Sequence, residues 1–392
     1  MTAKNAKSTH AWPTERGRYD AIAAAFGADE ADLAQWALTT GDPLMDAVVD
    51  EIHADSHVQA MLQRGIRDGL ASLAEPTPAV RALLEQVEAR PAYVDEAFLA
   101  NEASPFFTTP APVHMISLSA GALIRVYASP SIAAVLSSTG RLVDGAERRL
   151  QETGKWLLTA MMPGALRRGA PGYVATLQVR LLHAHMRKAV LRQGYDPARH
   201  GAAINQIDLA RTWMDFTLTS FEAEAAMGFE LTGQELAQAY RYWWYVGHLL
   251  GVDARLIDGI ESNEQAARMD KLLQAVTGPL VPEASALAHA TVASIAAQLR
   301  NQLRLPAPLG TRLLRALARR FHGDVLADEL GLSRHPVASA LVSLAAGRIR
   351  RTRRATRADP ARWAPSREAH LASSRALLAE RNPALFEEHR HD

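Results

Sequence analysis

The fifteen residues from Val113 to Tyr127 (VHMISLSAGALIRVY) are apolar on nearly every side of a helix. A helix without a polar face is a buried one, so this segment belongs in the middle of a domain with other helices around it. Its small residues Ser117, Ser119, Ala120 and Gly121 let a neighbouring helix, or a flat cofactor, approach closely. The rest of the chain supplies the surrounding layers. Apolar residues three and four apart predict helices over about 17–38, 43–72, 78–88 and 94–104, and again over 141–162, 172–193, 206–227 and 233–252. Further helices cover 262–345, broken near Pro279, Pro282 and Pro306. Asp42-Pro43 and Thr77-Pro78 each place an oxygen-bearing cap ahead of a proline, a good helix start. No segment sustains the strict alternation of a half-buried strand. The fold class read from this pattern is all-α.

With 48% hydrophobic and 22% charged residues, the 392-residue chain is able to bury a large core. The expected organisation is a disordered lead-in over 1–13, a single large helical domain over 14–347, and a basic, polar tail over 348–392. A formal net charge of +1 gives no global field for nucleic acid or anionic membrane. The absence of cysteine excludes disulfides, thiolate haem ligation and cysteine-held zinc or iron–sulfur sites. No signal peptide is visible, and no stretch approaches the roughly 18 consecutive apolar residues of a spanning helix, so a cytoplasmic protein without a membrane span is expected.

The residues with chemistry to offer gather between Arg141 and Gln193. On a helix, Arg180, His183 and Arg187 form one stripe, because residues three and four apart share a face. A neutral imidazole is a ready ligand for iron, and a guanidinium beside it is a ready partner for a carboxylate. A haem offers both, an iron and two propionates. A helix with one packed histidine and two surface arginines would use the same residues, so the stripe does not decide alone. The preceding helix aligns Arg149, Glu152, Thr153 and Trp156 on one face. His185 lies about 200° from His183 around the helix, so only one of the two faces a shared site. Further on, Tyr240 to Tyr245 crowds aromatic rings onto every side of a helix, which packs them in the core or around a cavity.

A second motif lies near the C-terminus. Leu326 to Leu341 has the spacing of a DNA-binding helix-turn-helix, with Ala327, Gly331 and Val337 at its small, turn and core positions, and six arginines follow between 348 and 357. Pro336 inside the first turns of the recognition helix and the near-neutral chain weigh against nucleic acid as the partner.

The block from Arg141 to Asp253 resembles the rubber oxygenase (latex clearing protein) family and its MpaB-like relatives. The likeness is carried by Gly140-Arg141-Leu142-Val143 leading to Arg149-Leu150-Gln151-Glu152-Thr153-Gly154-Lys155-Trp156, and by Pro163-Gly164 to Gly172-Tyr173. Val179 to Arg187, Ile204 to Leu209 and Val246 to Val252 continue it in order. The resemblance implies a globin-like all-α bundle around one b-type haem. In it His183 is the iron ligand, Arg180 and Arg187 flank it, and Arg149 and Thr153 are a distal-side pair. It also implies dioxygen and an apolar small-molecule substrate, possibly an alkene that is cleaved, as the partners. The departures are a glutamate, Glu152, where rubber oxygenases have a lysine, Lys155 one turn later, and Ala133 where the family has a catalytic glutamate. Glu152 is either a distal acid or the ion-pair partner of Arg148 or Arg149. A haem-dependent oxygenase is thus expected, with Glu152, Thr153 and Arg149 at the reacting side. A haem-binding or purely helical protein without oxygenase activity is the alternative, and DNA binding through 326–341 the third reading.

Overall fold

The computed structural model describes residues 12–138, 146–278, 280, 282–303 and 306–380. Every regular element among them is helical. The central segment runs unbroken from Ala111 to Tyr127, with a π-helical stretch at Ser117–Leu123 whose residues are all buried. It meets a second π-helical stretch, Asp215–Thr219, inside the run Gln206–Ala226. Gly121 faces Ala223 at a distance that leaves a methyl group only just enough room (3.4 Å), so small residues bring these two rods together.

Around this centre the first hundred described residues form short helices. The segment over 17–38 is two helices, Tyr19–Phe26 and Ala28–Thr39, because Gly27 at φ 115° turns the chain between them. The segment over 43–72 likewise breaks at Asp55, into Pro43–Ala54 and His57–Asp68, followed by a single 3-10 turn. Asp42 caps the first of these by accepting from the Met45 amide. Thr77 does not cap Pro78–Glu88; its hydroxyl donates to Glu51, whose carboxylate also takes the Ala79 amide. The anionic cap therefore comes from a neighbouring helix.

Two long antiparallel helices, Ala146–Met161 and Pro171–Arg192, frame the site. Their register is set where they pinch together. A side chain on Gly172 would strike Ala165 and Ala160 at under 3 Å, and one turn on, the Trp156 indole donates to Thr176 at 3.2 Å. Arg149 and Thr153 therefore stand level with His183 and Val179. The sequence Gly140 to Val143 lies outside the described residues, as does most of the stretch 1–13; Trp12 packs edge-on against Tyr19.

The C-terminal third is Asn263–Thr277, Pro282–Leu303, Ala307–Glu329, Pro336–Arg357 and Pro360–Glu380. The stretch 348–380 is helical apart from a break at Ala358 and Asp359, and the last helix lies across the Ser104–Thr108 turn, with His370 hydrogen-bonded to the Phe107 carbonyl. A helix–turn–helix corner does exist at 326–341, but its details differ from a DNA reader. Pro336 is the first helical residue rather than an interruption, and Val337, assigned to the motif's core, is 76% exposed.

Candidate active site

Between the two framing helices and the central rod lies one large cavity, about 1420 Å³ with its opening to solvent included. Arg149, Glu152, Thr153 and His183 all line it. Its walls are otherwise largely apolar: Leu123, Val126 and Tyr127 from the central rod, Trp156, and Trp243 with Leu250 from the aromatic helix Gly233–Leu250. Most of that helix's remaining aromatic rings are core. Tyr240, Tyr242 and Tyr245 are almost wholly buried away from the cavity.

His183 presents an imidazole whose Nδ1 is buried with no hydrogen-bond partner among the described residues. Burial pushes its pKa down to about 4, and the Arg187 guanidinium adds to the effect, so the ring is neutral at physiological pH. His185 points elsewhere, with its ring 6.0 Å from that of His53. Arg149 hydrogen-bonds the phenol of Tyr127, which burial holds above the ordinary tyrosine range. Glu152 pairs with Arg148 at 2.7 Å while remaining on the cavity wall, so the ion-pair reading and the lining position hold together.

Arg180 and Arg187 are on the same helix but do not line the cavity. Their guanidiniums are taken by carboxylates of the protein. Arg180 forks onto Asp42 at 2.6 and 2.9 Å and also donates to Gln86. Arg187 donates to Asp46 at 2.7 Å and to the Ile204 carbonyl. Through these carboxylates the two arginines anchor the helix that carries His183, and the Arg187 Nη2 is buried with no hydrogen-bond partner among the described residues. Gly251 makes room for this: it ends the aromatic helix at φ 76°, and a Cβ there would meet the Arg180 guanidinium at 2.7 Å.

These walls and this anchored histidine can be set beside known proteins. The family model described as ER-bound oxygenase mpaB/B'/Rubber oxygenase, catalytic domain, matches residues 111–358. The chain belongs to this family. A solved structure of latex clearing protein in the closed state superposes with a TM-score of 0.64 at 20% identity, covering 88% of this chain and 93% of that one. At that identity it speaks for the shared all-α fold. No curated protein matches the chain.

Within the family's span, sequence reasoning passed over several cavity residues. Asp208 lines the cavity while its carboxylate accepts from Arg16 at 3.0 Å and from Ser131 at 2.7 Å. Phe216 and Thr212 line it too. Asp208 was visible only as part of the Ile204–Leu209 segment, since its partner Arg16 is 192 residues away. Among the described residues no group of three or more histidines and acids is placed to hold a bare metal ion, and no helix is long and apolar enough to cross a membrane.

Proposed function

We propose that the cavity holds haem b with His183 as the iron ligand, and that the protein uses it with dioxygen to oxidise, by cleavage where it is an alkene, an apolar small molecule. The observation that carries this reading is the imidazole: neutral, on the cavity wall, with a buried nitrogen lacking a partner. That is the donor chemistry of a protein-held haem iron. Family membership supports the oxygenase class.

Haem bound there supplies a redox-active iron open to dioxygen. The chain's own residues do the rest. Arg149, steadied by Tyr127, is the cationic group on the wall and the partner for a propionate. The Thr153 hydroxyl offers a hydrogen bond inside the cavity, and the Glu152 carboxylate, paired with Arg148, places an acidic group at its wall. Trp156, Phe216 and Trp243 exclude water and give an apolar substrate its contact surface.

The test is spectroscopic. Purified from cells supplied with haem precursor, the protein is expected to show a Soret band that shifts on reduction with dithionite. His183→Ala should lose the native band while retaining the helical circular dichroism of the parent. A colourless wild-type protein after reconstitution with hemin would overturn the reading.

A further inference from the structure

The corner between Ala307–Glu329 and Pro336–Arg357 takes no part in the cavity, yet it carries the most exposed large aliphatic side chains among the described residues. Val337, Leu341 and Leu344 are 76%, 51% and 69% exposed. Spaced by four and then three, they make one outward stripe on their helix. Continuing the same spacing, Arg348 and Arg351 stand on that face, both exposed. Val325, 77% exposed, lies on the neighbouring helix.

The charge is equally one-sided. From Leu330 to Ala358 there are arginines at 334, 348, 350, 351, 353, 354 and 357, and no aspartate or glutamate. Most are used internally. Arg350 and Arg354 pair with Glu230, Arg357 with Glu235, and Arg334 with Asp324 and Asp328. Arg353 lies over the rings of Phe229 and Trp363. Arg348 and Arg351 have no acidic partner among the described residues, so the outward face presents three aliphatic side chains followed by two cations.

This pattern selects among partners. A DNA reader needs arginine, lysine, asparagine or glutamine where this helix has valine and leucine. A two-fold contact between copies through this face would bury the aliphatic stripe but offer Arg348 and Arg351 no counter-charge, since 330–358 contains no acid. An anionic lipid surface satisfies both halves, with aliphatic groups entering the acyl boundary and guanidiniums at the headgroups. We propose that the outward face of Pro336–Arg357 docks the protein reversibly onto an anionic lipid surface.

Flotation with vesicles tests this without any cofactor or substrate. The wild-type protein should float with phosphatidylcholine vesicles containing phosphatidylglycerol, and not with phosphatidylcholine alone. Arg348→Gln with Arg351→Gln should weaken partitioning by about fivefold per arginine, and Leu341→Asp with Leu344→Asp should abolish it. All four side chains are exposed, so unchanged thermal unfolding of both variants confirms that the fold is kept. Wild-type protein left at the bottom with anionic vesicles overturns the proposal, as does flotation that neither variant alters. Leucine-dependent dimerisation in sedimentation velocity without flotation would assign the face to a second copy instead. An arginine-dependent shift of random duplex DNA that survives the leucine substitutions would assign it to nucleic acid.

Discussion

His183 and His322 are two imidazoles that the native state keeps unprotonated. Burial is the main cause for each and brings both to about 4, with Arg187 adding to it at His183. His322 meets the Ala120 carbonyl at 2.9 Å, on the central rod. In the unfolded chain both titrate near the ordinary 6.5, so between about 4 and 6.5 the unfolded state binds protons that the native state does not. Stability of the haem-free protein is therefore full above that window and falls as pH drops through it. The loss should be on the order of 3 kcal/mol for each histidine. His183→Gln and His322→Gln should each flatten the decline in Tm between pH 6.5 and 4.5, and an unchanged slope in either variant would contradict the assignment for that residue. At this scale the sequence was informative where chemistry is local. The shared face of Arg149, Glu152 and Thr153 follows from helix geometry, as does the exclusion of His183 and His185 from one common site, while the choice of His183 came from the family resemblance; Arg149, Glu152, Thr153 and His183 all line the cavity. The partners of Arg180 were not readable, because a guanidinium on a helix says only that some anion is near. Asp42, 138 residues earlier, reads locally as nothing more than a helix cap.

Elements in this molecule are fastened by residues that serve two of them at once. Asp42 caps Pro43–Ala54 and, buried, receives the Arg180 fork from the His183 helix. Asp42→Asn keeps a good cap but leaves Arg180 without its counter-charge, and breaking a buried pair in this way costs about 3–5 kcal/mol. Urea unfolding should show that loss. Adding Arg180→Met to it should recover part of the stability, so the two substitutions together should cost less than their sum. If the single variant shifts the midpoint by less than about 1 kcal/mol, the pair is not the fastening it is taken to be. The long helices themselves were legible from spacing and prolines. The π-helical stretches at Ser117–Leu123 and Asp215–Thr219 were not, since a widened turn carries no periodic signature and depends on what packs beside it.

For the whole molecule, the span matched by the family model begins at residue 111, but the anchors of its cavity helices lie before that point. Arg16 neutralises Asp208, Asp42 neutralises Arg180, and Asp46 neutralises Arg187, all across buried or nearly buried contacts. A chain starting at Ala111 would leave those three charges uncompensated in the interior. It should be expressed without cooperative thermal unfolding and be digested rapidly by trypsin, whereas the full chain should resist. A truncated chain with a sharp transition like the parent's would show that the early helices are dispensable. The cavity wall has one more consequence. Three of the protein's seven tryptophans, Trp156, Trp213 and Trp243, face the void. Their emission lies where porphyrins absorb, so a pigment lodged among them would darken a large share of the protein's intrinsic fluorescence. The chamber thus carries its own optical gauge of occupancy, readable by titration before any substrate is known.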